Sequence, residues 1–356
     1  MKIVWTIVVV AIVAVIQVAY YHKRGLRGVS YARSFSRSRA VEGETLEFIE
    51  QLTNEKLIPV PWVRVESRIS SRLRFTRQKD HAIDLDQFHR SVFFLGAYSR
   101  ITRRHEILCT RRGWYDCGKV NLVAGDLLGL AACRRDEETG CSLYVYPRIP
   151  ELGELPESAL KWQGDVTVRR WILPDPILVN GIREYRPGDP LKDVHWGATA
   201  RTGQVQVKTR DYTVSPRVLL IFNTQISDGL LGGMQPEEVE FLERGIGVCA
   251  ALASWCVSGG IEVGFASNGE DAREPDKEIY IPARTGDAQL DSVLEQLATL
   301  VIKMKTGIHS VLDRRIADGT TGMDVLVVSN YWSDTIEKRA AQLRLAGNSV
   351  THIRLK

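Results

Sequence analysis

The stretch that decides the fold runs from Val218 to Ala266 and reads VLLIFNTQISDGLLGGMQPEEVEFLERGIGVCAALASWCVSGGIEVGFA. Val218–Phe222 is a short unbroken apolar run, the pattern of a strand buried on both faces. From Glu237 to Ser258 apolar residues recur at helical spacing, with Val239, Leu242, Ile246, Cys249, Ala250, Ala253 and Val257 on one stripe. Glu237, Glu238, Glu240 and Glu243 crowd its first turns, where the helix dipole favours negative charge. Gly259-Gly260 stops the helix, and Ile261–Ala266 is the next strand.

The alternation continues to the C-terminus. Asp287–Lys305 reads as a second helix, with Leu290, Val293, Leu294, Leu297, Leu300, Val301 and Met304 inside. Asp324–Ser329 is a buried strand, Ser333 or Asp334 caps a helix ending at Gly347, and Ser349–Leu355 is a closing strand. Residues 218–356 therefore predict a doubly wound, parallel α/β domain. Ligands of such sheets sit beyond the carboxyl ends of the strands. The first of those ends here is Asn223-Thr224-Gln225-Ile226-Ser227.

Upstream lies VNGIREYRPGDPLKDVHWGATARTGQVQVKTR, Val179–Arg210. Pro187-Gly188-Asp189-Pro190 must turn, because proline fixes φ and glycine permits positive φ. Leu191–Ala200 has room for about two helical turns, at 3.6 residues per turn. Val205–Thr209 alternates as a strand, with Val205 and Val207 on one face. Two readings of its polar residues stay open. Arg183, Asp189, His195 and Arg201 would satisfy one another in a buried knot at a domain join. Alternatively Arg183, Arg186 and Arg201 form a recognition surface or a small-anion site, since guanidinium groups suit anionic oxygens.

The N-terminus is of another kind. Ile3–Tyr21, IVWTIVVVAIVAVIQVAYY, carries no charge and is long enough as a helix, at roughly 28 Å, to span a bilayer core. A cleaved signal peptide is the competing reading, but the apolar run is long and no A-x-A site precedes the basic flank. Only Lys2 precedes the run, whereas Lys23, Arg24, Arg27, Arg33, Arg37 and Arg39 follow it. The positive-inside rule then puts the bulk of the chain in the cytoplasm, behind a single-pass anchor in the cell membrane. The basic segment 22–40 is expected against anionic headgroups.

Residues 41–147 read as a β-sandwich, with short alternating strands at Thr45–Glu50, Val63–Ile69, Ser91–Leu95, Arg104–Thr110 and Ser142–Pro147. Arg64, Arg68, Arg72, Arg74, Arg100, Arg103 and Arg104 fall on its solvated faces. Residues 148–217 form a connector, partly helical around Ser158–Gln163, that ends in the Val179–Arg210 segment.

Composition bounds function. The chain has 356 residues, 44% hydrophobic and 25% charged, ordinary for a globular protein of two or three domains. Without Lys2 and the six basic residues of the flank, the formal net charge of +4 becomes −3. A general nucleic-acid binder is therefore disfavoured. Six cysteines occur with no C-x-x-C pair and are expected as reduced thiols on the cytoplasmic side. No G-x-S-x-G, H-E-x-x-H or Walker motif occurs, and Gly245-Ile246-Gly247 lies inside a helix. Neither catalytic residues nor a cofactor is recognised, and the expectation is a protein that is not an enzyme.

The pattern Gly181-x-Arg183-x-Tyr185-x-Pro187-Gly188-Asp189, then His195-Trp196, Ala198, Ala200 and Arg201, resembles the signature of the bacterial family catalogued as domain of unknown function 58. Arg112-Gly113-Trp114-Tyr115 and Asp126-Leu127-Leu128-Gly129-Leu130 resemble further motifs of it. The C-terminal domain resembles the von Willebrand factor A-like fold, whose metal-binding members place D-x-S-x-S at the first strand end. Asn223 and Gln225 replace two of those ligands here and Ser227 alone remains, so no metal is expected. The resemblance implies a binding or assembly protein that works with a MoxR-type AAA+ ATPase. Its possible binding residues are Arg183, Tyr185, Arg186, Gly188, Asp189, His195, Trp196 and Arg201. An enzyme or anion-binding protein using Arg183–Arg201, and envelope-linked nucleic-acid binding, are the alternatives.

Overall fold

The computed structural model describes residues 2–76, 86–172, 179–186, 189, 191–210, 217–227 and 234–355. They form two compact units, residues 1–148 with 294–300 and residues 149–293 with 301–356.

The first unit opens with α1 (Lys2–Arg24), a helix long and apolar enough to cross a membrane, with a mean hydropathy of 2.6. Most of its apolar side chains are exposed as far as Ile16, Val18 and Tyr20 are half-buried, and Tyr21 is buried with its hydroxyl donating to the Pro59 carbonyl at 2.8 Å. Lys56 Nζ closes the helix by donating to the carbonyls of Arg24 and Gly25.

Eleven strands follow: β1 (Val29–Phe35), β2 (Arg39–Val41), β3 (Thr45–Asn54), β4 (Val60–Ser70), β5 (Leu73–Phe75), β6 (Asp86–Leu95), β7 (Arg100–Cys109), β8 (Gly113–Asp116), β9 (Lys119–Gly125), β10 (Ala132–Glu138) and β11 (Ser142–Tyr146). Two antiparallel sheets, ordered β1-β3-β7-β5 and β10-β9-β4-β6, supply the body of the unit, and β2-β11-β8 forms a third. Tyr31 and Leu52 of the first sheet share one apolar cluster with Val63, Phe93 and Leu122 of the second, so the two pack as a sandwich. The arginines expected on solvated faces lie there: Arg68, Arg72, Arg74, Arg100, Arg103 and Arg104 are exposed, and Arg64 is half-buried.

The basic flank 22–40 is folded into the first unit and is not a separate segment between helix and sandwich. It contains β1, whose alternation turns Val29, Tyr31 and Arg33 inward. Arg33 is buried and donates to the Lys119 carbonyl at 3.0 Å and to Thr139 Oγ1 at 3.2 Å. A charge count along the chain cannot register the side of a strand on which each arginine falls.

The second unit holds α2 (Glu157–Ile172), β12 (Val179–Glu184), α3 (Trp196–Thr202), β13 (Gln206–Arg210), β14 (Arg217–Phe222), α4 (Pro236–Ser258), β15 (Glu262–Ser267), β16 (Glu270–Asp271), β17 (Ile279–Arg284), the start of α5 (Asp287–Thr299), the end of β18 (Leu300–Val301), α6 (Ile308–Ala317), β19 (Met323–Ser329), α7 (Asp334–Leu345) and β20 (Ser349–Arg354), the rest of α5 and Leu300 of β18 falling in the first unit. Its main sheet has the order β17-β15-β14-β19-β20. Four strands are parallel and β17 runs antiparallel at an edge. Leu219 and Ile221 face α6 and α7, clustering with Val311, Leu312, Ile336 and Leu343. Phe222 lies toward α4, which comes so close at Gly245 that a Cβ there would stand 2.8 Å from the Phe222 ring and 2.6 Å from Leu355.

Several elements differ from the sequence reading. The helix begun at Asp287 stops at Thr299, and Leu300 and Val301 extend as β18. Apolar spacing continued past the true end because a strand within an apolar run satisfies the same count. The edge strand β17 and the helix α6 have no counterpart in the sequence periodicity, and α2 runs well beyond Ser158–Gln163. Val205 and Val207 do not share an environment: Val207 is buried and Val205 is exposed, because β13 starts at Gln206.

Candidate functional site

The Val179–Arg210 segment is a closed local structure. β12 and β13 pair antiparallel, with Arg183 opposite Val207 and Glu184 opposite Gln206. Between them the chain makes a 3₁₀ turn at Leu191–Asp193 and then α3, not one continuous helix from Leu191. His195 caps α3 by accepting the Ala198 N–H on Nδ1 at 3.0 Å. Its own N–H donates to the Gln206 carbonyl at 2.7 Å. Gly203 ends α3 at φ +71°, a left-handed conformation that suits glycine. Val194 and Val207, both buried, form the small apolar centre.

Arg183 and Asp189 make a bidentate pair, with both N···O distances 2.7 Å. The Arg186 N–H adds a third bond to Asp189 at 2.8 Å. The Arg183 guanidinium, then that backbone N–H, hold the Asp189 carboxyl down to about 2. This is not the buried knot that the sequence allowed. The Arg183 side chain is 40% exposed and that of Asp189 15%. His195 serves the backbone, and Arg201 has no ion pair among the described residues. Gly188 lies outside the described residues.

The residues left over point outward. Trp196 is 71% exposed on α3, and Tyr185, Arg186 and Arg201 are exposed too. Ile182, Leu191 and Val205 add apolar surface to the same segment. With Arg183 engaged by Asp189, the guanidinium groups available to a partner are those of Arg186 and Arg201.

The strand ends of the main sheet are held by amides and hydroxyls. Asn223 is fully buried, and its Nδ2 donates to Ser329 Oγ at 2.9 Å. Its Oδ1 accepts the Gln225 N–H at 2.9 Å. Asn268 Oδ1 accepts from the Thr224 backbone at 2.8 Å. Gln225 is half-buried and donates through Nε2 to the carbonyl of the exposed Ser227 at 3.0 Å.

One polar cluster escaped the sequence reading. Glu50, His89 and His105 meet inside the sandwich, although 39 residues separate the first two and 55 the first and third. Its trace in the sequence is an acid in the inward phase of an alternating strand, Glu50 between Phe48 and Leu52. Burial opposes the Glu50 charge, yet hydrogen bonds from His105 and His89 hold its carboxyl well below the usual range. The six cysteines are unpaired, and burial pushes the Cys109 and Cys117 thiols up to about 12.

Over 280 residues the chain is 22% identical to the uncharacterized protein YeaD of Bacillus subtilis (strain 168), covering 77% of this chain. The matched region spans 64% of that curated relative, under two thirds of its length. Among solved structures, the CARDB domain of the PF1109 protein from Pyrococcus furiosus matches 32% of this chain and 89% of its own at 12% identity and a TM-score of 0.20. A non-cellulosomal cohesin from Archaeoglobus fulgidus matches 33% of this chain and 91% of its own at 10% identity and a TM-score of 0.22. Superpositions that loose carry no argument. Residues 181–355, from the start of the Arg183–Arg201 segment through the parallel sheet, match the family described as Protein of unknown function DUF58.

Proposed function

We propose that this protein is a membrane-anchored binding and assembly protein, not an enzyme, that docks a MoxR-type AAA+ ATPase through its β12–β13 segment. The observation that carries the reading is Trp196, 71% exposed on α3 of a locally braced segment in which Arg186 and Arg201 are exposed as well. Tryptophan and arginine are the residue types that dominate binding energy at protein interfaces, and an exposed tryptophan on ordered structure has not been used by the fold. Asp189 contributes by holding Arg183 and the Arg186 backbone, which sets the shape of the surface.

In this reading α1 spans the cell membrane, with the bulk of the chain in the cytoplasm, supported by the one-sided placement of Lys/Arg after the apolar run. The C-terminal unit is von Willebrand A-like, supported by four parallel strands between α4 and the α6–α7 pair. Its amide network at Asn223 occupies the place where metal-binding members carry carboxylates.

The test is retention of purified ATPase by the full-length chain in detergent. Parent chain should retain it, and Trp196→Ala with Arg201→Ala should lose it at an unchanged melting temperature. Full retention by the double variant rejects the docking surface. A reporter fused after Lys356 tests topology, and reporter activity outside the cytoplasm overturns the orientation.

A further inference from the structure

Four polar side chains from three strands meet inside the sandwich. Glu50 projects from β3, His89 and Ser91 from β6, and His105 from β7. Glu50, His89 and Ser91 are buried, whereas the His105 side chain is 21% exposed and gives the cluster a path to solvent. Glu50 Oε2 lies 3.0 Å from His105 Nε2, 3.3 Å from His89 Nε2 and 2.9 Å from Ser91 Oγ. Ser91 Oγ is 3.0 Å from His89 Nε2.

Those separations have a meaning beyond hydrogen bonding. Four ligands at roughly 2.0–2.1 Å from a tetrahedral ion stand about 3.3–3.4 Å from one another. Of the four separations, 3.3 Å matches that edge and 2.9, 3.0 and 3.0 Å fall a few tenths of an ångström inside it, and the ligand atoms of Glu50, His89 and His105 all fall within 4.8 Å of one another. Tyr31 donates its hydroxyl to Glu50 Oε1 at 2.8 Å, which turns Oε2 alone toward the imidazoles. Phe75 stacks on the His89 ring at a centroid distance of 4.5 Å and fixes its plane.

A catalytic Ser–His–Glu triad is not what these atoms form. That arrangement needs serine and carboxylate on opposite nitrogens of the ring. Here both approach Nε2, and His89 Nδ1 has no partner among the described residues. Ser91 is also buried, away from any substrate.

We infer that Glu50, His89 and His105 bind a divalent transition-metal ion, zinc by ligand type and spacing, with Ser91 at the fourth corner. Two imidazoles and a carboxylate suit such an ion, whereas magnesium and calcium take six or more oxygens. A site closed by a fourth protein group is structural. Its ligands come from both sheets, β3 and β7 on one side and β6 on the other, so the ion pins the sandwich faces together. Nothing in this assignment depends on the docking surface of the second unit.

The test uses the full-length chain in detergent, stripped with chelator and titrated with zinc chloride, then with cobalt chloride. The expected result is one zinc per chain, a melting temperature raised by more than about 5 °C on reloading, and a tetrahedral cobalt spectrum without a thiolate charge-transfer band. His105→Gln is the leading variant, because its site is partly exposed. It should melt like the chelated parent and bind zinc at least about 100-fold more weakly. Tyr31→Phe keeps all ligands and should weaken binding about 10- to 100-fold. Absence of stoichiometric zinc uptake in the micromolar range overturns the inference. So does undiminished uptake by His105→Gln, or a thiolate band assigning the metal to the cysteines.

Discussion

Asn223→Asp tests how the C-terminal sheet is held at its strand ends. The substitution introduces a carboxylate at the end of β14, where the proposed von Willebrand A-like fold would carry a metal ligand, with little change in size. Asn223 is fully buried, and its Nδ2 donates to Ser329 Oγ. That hydroxyl already donates to the Tyr331 carbonyl at 2.6 Å, so it is not free to turn and serve an anion. A charged carboxylate there loses hydration without a cation to replace it, at several kcal/mol. The cheaper course is to bind a proton, whose O–H replaces the lost N–H donor. Keeping a carboxyl of ordinary value about 3.9 neutral at pH 7 costs about 3.1 units at 1.36 kcal/mol each, or about 4 kcal/mol. At pH 5 the same sum is about 1.5 kcal/mol. The folded value is raised above the unfolded one, so the penalty grows with pH and is nearly gone below about pH 4. For a unit of this size the pH 7 figure corresponds to a melting temperature lower by roughly 8–16 °C. The assay is thermal unfolding of the full-length chain, followed by tryptophan fluorescence near both pH values, with and without millimolar magnesium. A variant as stable as the parent near pH 7, or one restored by magnesium, would refute the reasoning, and magnesium rescue would make the strand end a working cation site.

Three further outcomes are expected. Asp189→Ala should lower the melting temperature by no more than a few degrees, because solvent screens its partly exposed pair with Arg183, yet should lose ATPase retention like the Trp196→Ala, Arg201→Ala double variant. His352 stacks on Trp332 and reaches the Ser329 carbonyl at 3.0 Å. Burial, then Arg354, lower its value against the opposing pull of Ser329 and Glu337. Its contribution to stability is therefore complete above about pH 6.5 and is lost as pH falls through the lowered folded value. Urea midpoints of His352→Gln should decline less on acidification than those of the parent. Gly264→Ala would set a Cβ 2.7 Å from the Ile281 carbonyl oxygen, a backbone atom that cannot step aside. The expected cost is about 1–3 kcal/mol, read as a lower urea midpoint, and an unchanged midpoint contradicts the close approach of β15 and β17.

Much of the architecture was legible because its signals are local. The apolar run Val218–Phe222, the stripe of α4 and the alternation of Thr45–Asn54 each carry their period within one element. β17 was invisible because an edge strand with one face in water alternates weakly and includes Pro282. The density of polar and aromatic residues in 183–201 marked the segment, but not the side each takes. Trp196 outward and Val194 inward is a property of the β12–β13 pairing, not of spacing. Glu50, His89 and His105 come together only after β3, β6 and β7 have found their sheets.

The junction between α1 and β1 sets a mechanical constraint. Only residues 25–28 intervene, and they are tied by hydrogen bonds from Gly25 to Tyr21, Arg27 to Arg24 and Val29 to Leu26. A loose segment of residues 22–40 would let a domain drift over roughly 24 Å, at about 5–6 Å times the square root of its length. This chain has no such leash. With α1 in a bilayer, the height and angle of the sandwich would follow the axis of the helix itself. Inserting a flexible spacer after Arg24 would surrender that alignment while leaving every strand intact.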